Sequence, residues 1–78
     1  MFFFSFCLDC FDWGICKYGS GGSGRENVAS AFDCQRYCQQ ITTCQIWTLY
    51  DNGDCNMEGD YIGNHTSSRC VSGPKTCP

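Results

Sequence analysis

The chain has 78 residues, a mass of 8.7 kDa, nine cysteines and a formal net charge of -3. That length allows one domain and excludes a multi-domain enzyme, a P-loop or a dinucleotide fold. Lys17, Arg25, Arg36, Arg69 and Lys75 are scattered, which excludes a basic nucleic-acid module.

Cysteine at this density in a short chain reads as a disulfide scaffold, since so few residues bury too little apolar surface to be stable without staples. It also sets the compartment: a secretory route oxidises such thiols, and a glutathione-buffered cytosol does not. The chain is therefore expected outside the cell.

In chain order, Met1-Phe2-Phe3-Phe4-Ser5-Phe6 is apolar. It falls far short of the roughly 20 residues of a membrane helix. It also lacks the basic start and small-residue cleavage site of a signal peptide. Residues 1–9 are read as an N-terminal extension, either a leader remnant or an end set by where the gene was cut; the alternative is a first strand. No membrane insertion is expected. Residues 7–18 suit a short strand or extended arm. The run Gly19-Ser20-Gly21-Gly22-Ser23-Gly24 is read as a loop, linker-like or natural, because glycine loses most backbone entropy in regular structure.

Residues 30–41 carry the helix signal. Ser30 can cap, with Asp33 three residues on. Cys34, Tyr37, Cys38 and Ile41 share one face by spacing, and Asp33, Arg36, Gln39 and Gln40 form the polar one. Residues 45–50 are β-rich. Asp51-Asn52-Gly53-Asp54 supplies an Asn-Gly hairpin turn, and residues 55–58 form the return strand. Residues 59–68 read as a polar loop or weak strand, 69–71 as a last strand, and 72–75 as a turn. The fold class is α+β: one helix packed on a small antiparallel sheet.

The spacing Cys34-x3-Cys38-x5-Cys44, then Cys55 on the second hairpin strand, then Cys77 after Ser72-Gly73-Pro74-Lys75, resembles a PAN/apple domain. The string Ala29-Ser30-Ala31-Phe32-Asp33-Cys34-Gln35-Arg36-Tyr37-Cys38 is similar to that family's helix, and Cys44-x2-Trp47-Thr48 to its first central strand. The resemblance spans residues 10–78. The ending Val71-Ser72-Gly73-Pro74-Lys75-Thr76-Cys77-Pro78 is most like the apple repeats of apicomplexan microneme adhesins.

The resemblance implies the bridges Cys34–Cys55 and Cys38–Cys44, with Cys77 joined to an early cysteine. Cys7, Cys10 and Cys16 compete for that place; the family's spacing suits Cys10 or Cys7, and Cys10 is preferred. If the first and last strands run antiparallel, opposed residues keep a nearly constant number sum. Cys16 and Cys70 then meet at nearly the sum of Cys10 and Cys77, which makes Cys16–Cys70 a fourth bridge and leaves Cys7 over.

Other chemistries find little support. Cys7-Leu8-Asp9-Cys10 is a lone C-x2-C, whereas zinc wants a second pair or a histidine cluster, and His65 is the only histidine. A thioredoxin role for that motif needs a βαβ context. There is no G-x-S-x-G elbow. Asp51, Asp54, Glu58 and Asp60 read as a solvated acidic turn rather than a catalytic pair or an EF-hand loop. No catalysis, metal or cofactor is expected.

Binding remains. Trp47 is read as core. Trp13, Tyr18, Tyr50 and Tyr61, with Lys75, are the candidate ligand-contacting residues, and Asn64-His65-Thr66 is an N-glycosylation acceptor on Asn64. The resemblance implies an adhesion or recognition module, secreted and in some relatives delivered by micronemes, whose partner is a host-cell glycan or a cell-surface or secreted protein. The alternative is a structural spacer or assembly module that contacts other domains of its own chain or forms a dimer.

Overall fold

The computed structural model describes residues 10–77. The N-terminal extension 1–9, including Cys7, lies outside the described residues. The element order is β1 (Asp12–Asn27), α1 (Ala31–Gln40), β2 (Ile46–Tyr50) and β3 (Asp54–Pro74). Strand β3 lies between β1 and β2 in hydrogen-bonding order.

The helix begins where the sequence offers a cap. Ser30 is extended, its Oγ accepts the Asp33 N–H at 3.2 Å, and its carbonyl accepts the Cys34 N–H at 3.1 Å. Ala31, Cys34 and Cys38 are its buried residues. Tyr37, expected on that face, is 39 % exposed. The arc in contact with the sheet is narrow, and a phenol at its margin turns to water. At the other end, Lys75 Nζ donates to the carbonyls of Ile41 (2.9 Å) and Thr42 (3.3 Å), so a cation meets the negative end of the helix dipole.

Strand β2 pairs with β3 along both of its edges. On one edge Ile46 faces Glu58 and Leu49 faces Cys55; on the other, Ile46 faces Pro74 and Leu49 faces Val71. On both edges the partner numbers fall as those of β2 rise, so both pairings are antiparallel. The two ends of β3 therefore clasp β2 between them. The middle of β3 swings out with β1 as a two-stranded ribbon, Ile15 to Ser20 against Asp60 to Thr66. The ribbon crosses the outer face of β2. The buried Thr48 Oγ1 accepts the Lys17 N–H (3.1 Å) and donates to the Lys17 carbonyl (2.7 Å), and Ser72 Oγ donates to the Ile15 carbonyl (2.7 Å).

The structure corrects two expectations and decides a third. The Gly/Ser run at 19–24 is not a loop; it is the second half of β1, paired with residues 57–61. The missing side chains make this possible: a Cβ on Gly19 would collide with the Asp60 carbonyl oxygen. Of the two readings of 59–68, loop or weak strand, the strand is the one found, because β1 satisfies its backbone although its side chains are polar. Residues 72–74 belong to β3 as well, held by Trp47 and Thr48 as partners.

The core lies between α1 and the sheet. Trp47 is fully buried, meets Phe11 edge-on at 4.9 Å between ring centroids, and donates its indole N–H to the Pro74 carbonyl at 2.8 Å. Cys34, Cys38, Cys44, Cys55, Met57 and Val71 surround it. Gln35 reaches the same Pro74 carbonyl (3.2 Å) and Gln39 the Lys75 carbonyl (3.1 Å), which binds the tail to the helix. Four bridges complete the frame: Cys10–Cys77, Cys16–Cys70, Cys34–Cys55 and Cys38–Cys44. No helix among the described residues is long and apolar enough to cross a membrane.

Candidate recognition surface

The bridges oxidise all eight described cysteines, and among the described residues no group of three or more His, Cys, Asp and Glu side chains could hold a metal ion. The acidic turn is tied into ion pairs. Arg25 reaches both carboxylate oxygens of Asp54, the closest contact being Nη2 to Oδ2 at 2.6 Å. That hydrogen bonding holds Asp54 below the usual carboxylate range and raises Arg25. Arg69 reaches Asp51 at 3.0 Å and 3.3 Å, and its own pKa is raised by this hydrogen bond.

The second of these pairs stands at an irregularity of the sheet. Trp13 faces Val71 and Ile15 faces Thr66, so β3 spends residues 67–70 where β1 spends only Gly14. The extra length arches outward as a bulge. Gly14 opposite it takes φ 83°, a conformation that favours glycine. The Cys16–Cys70 bridge ties down the foot of the arch, and Arg69–Asp51 ties its crown to the β2–β3 turn. Beneath lies a shallow depression of about 200 Å³ lined by Trp13, Leu49, Tyr50, Asp51, Arg69 and Val71 among others. A second depression of about 270 Å³ shares Tyr50, Asp51 and Arg69 and extends to His65. The structure thus brings Trp13 and Tyr50 together, one 65 % exposed and the other half-buried, beside a guanidinium and a carboxylate. From the sequence Arg69 reads as one of the scattered cations and Asp51 as part of a solvated turn; the bulge and the pairing of Tyr50 with Cys70 set them beside Trp13.

The other two aromatics stand apart from each other. Tyr18 faces Gly63 and lies over it: a Cβ there would meet the Tyr18 hydroxyl at 2.6 Å. His65 shares that face, 6.4 Å from the Tyr18 ring. Gly19 pairs with Tyr61, so Ile62 is an extra residue that turns Tyr61 to the opposite face. Tyr18 and Tyr61 therefore do not form one site. Lys75 is engaged as the helix cap described above. A further cleft of about 420 Å³, between the chain before α1 and its outward face, is lined by Asn27, Val28, Asp33, Arg36 and Tyr37.

A helix stapled to an antiparallel sheet by four disulfides defines a small disulfide-framed domain of the extracellular kind. The solution structure of a PAN module from Eimeria tenella, an apicomplexan, matches with a TM-score of 0.67 and 29 % identity, over 91 % of this chain and 84 % of that one. The chain has the fold of that PAN module. No family model matches the sequence. No curated protein matches it either.

Proposed function

We propose that the module recognises a carbohydrate through the depression beneath the 67–70 bulge. The observation that carries this reading is Trp13, 65 % exposed at the rim of a hollow that also holds the Arg69–Asp51 pair. An indole face packs against the CH face of a pyranose. Asp51 accepts from sugar hydroxyls and Arg69 donates to them, and the two stay oriented because each holds the other. Tyr50 supplies a second apolar wall. In this reading the chain is an adhesive unit facing host-cell glycans. The microneme route remains part of the proposal, and it rests on the tail Val71 to Pro78 alone.

A glycan array probed with the secreted, oxidised chain tests this. A saccharide signal is expected, lost at least tenfold in Trp13→Ala and in Arg69→Ala, each with native circular dichroism. A signal insensitive to both substitutions would move the site elsewhere. A silent array would overturn the carbohydrate reading.

A second reading is favoured by a row of rings. Phe11 stands 6.3 Å from Trp13 and 5.0 Å from Phe32, and Phe32 is itself 59 % exposed. Such a row is the material of a protein hot spot, either for a partner protein or for a neighbouring domain or second copy in a spacer role. Loss of a partner, or of a dimer on sizing, in Phe32→Ser with the array silent would support it.

A further inference from the structure

We propose that Asn64 carries an N-linked glycan whose first sugar packs on the ring of Tyr61. Asn64-His65-Thr66 is an acceptor triplet without proline at its centre. The structure adds what the triplet alone cannot say. Asn64 and Thr66 are both exposed on the ribbon, so the acceptor amide and the hydroxyl of the triplet are open to solvent. Asn64 faces Lys17, one residue along from the Tyr18–Gly63 pair, and strand alternation puts it on the face opposite Tyr18 and His65. The extra residue Ile62 brings Tyr61 to this same face. The side chains meet: Asn64 Nδ2 donates to the Tyr61 hydroxyl.

Nδ2 is the atom that glycosylation modifies. With a lipid pyrophosphate-linked oligosaccharide as donor, an Nδ2–C1 bond forms, the C1–O bond to the pyrophosphate breaks, and the amide gives up one of its two protons. The remaining N–H can still donate to Tyr61. The sugar attached there starts beside a phenol ring that is 50 % exposed, and the apolar face of an N-acetylhexosamine covers it. Tyr61 is then a platform for the chain's own glycan and not a contact for a foreign ligand. Because His65 belongs to the opposite face, the depressions near Arg69 stay open. The inference needs a secretory route but no ligand, so it stands or falls apart from the proposed function.

The test uses the full chain secreted from a eukaryotic host. Intact mass should fall by a whole glycan after peptide N-glycosidase, and Asn64→Gln should lack that mass from the start. A secreted, four-bridged chain with unmodified Asn64 overturns the proposal. For the packing, the thermal midpoint should drop on deglycosylation of the unsubstituted chain and of Tyr61→Phe, and should not drop for Tyr61→Ala. An equal drop in Tyr61→Ala overturns the platform. If Tyr61→Ala does not fold, proton contacts between the Tyr61 ring and the first sugar in the unsubstituted glycoprotein decide: their presence supports the packing and their absence refutes it.

Discussion

Replacing Cys16 and Cys70 together by alanine removes the bridge that holds both the ribbon and the foot of the bulge. Taken alone, a bridge across a sequence separation of 54 limits the unfolded chain by about 4 kcal/mol. It is not alone, because Cys10–Cys77 encloses it. With that outer bridge closed, the inner one completes a ring of only about 13 residues, and its contribution falls to about 3 kcal/mol. Both sulfurs are also buried, at 1 % and 6 % exposure for their residues, so truncation adds some lost packing. For a domain of this size about 3 kcal/mol corresponds to a midpoint lower by about 12–24 °C. The assay is thermal unfolding followed by near-ultraviolet circular dichroism, under non-oxidising, non-reducing conditions that preserve the other bridges. Amide exchange should accelerate most in residues 14–18 and 63–70, since the hydrogen bonds of Thr48 and Ser72 would then hold the ribbon without covalent help. A midpoint within about 4 °C of the unsubstituted chain would refute the reasoning, for it would mean a contribution below about 1 kcal/mol.

Further outcomes follow from single positions. Trp47→Ala should destabilise by about 3–5 kcal/mol in denaturant titrations, because it empties the centre of the core and leaves the Pro74 carbonyl one donor short. Gly19→Ala should lower the thermal midpoint and speed amide exchange along the ribbon, since its Cβ has no room beside the Asp60 carbonyl; an unperturbed ribbon would contradict the strand assignment of the glycine run. Asp54 has its folded pKa depressed by Arg25, so its stabilisation is full above the unfolded carboxylate pKa of about 3.9 and fades as pH falls through the lower folded value. Acid titration of stability should therefore lose part of its slope in Asp54→Asn, while Arg25 stays charged throughout.

The sequence made some elements legible and hid others, for physical reasons. The helix was legible because Ser30, Asp33 and two cysteines four apart combine a cap with a face. The turn was legible because Asn52-Gly53 suits the positive φ of 90° found at Gly53. The pairs found in the structure are those given by the family resemblance together with the antiparallel number sum. The long ribbon was hidden because a strand with both faces largely in water shows no alternation, and because glycine is penalised by propensity where close backbone approach requires it. The candidate surface was only half legible. Aromatic side chains could be picked out, but two local irregularities decide which of them meet: the bulge at 67–70, which brings Arg69 to Trp13, and the extra residue Ile62, which separates Tyr61 from Tyr18. Neither leaves a mark on composition or periodicity.

Peptide mapping of the oxidised, secreted chain by mass spectrometry tests the framework on which the surface depends. The expected result is four linked peptides joining Cys34 with Cys55, Cys38 with Cys44, Cys10 with Cys77 and Cys16 with Cys70. Cys34 joined to any other residue, or Cys70 recovered as a free thiol, would contradict the helix-to-hairpin clamp and the anchored bulge.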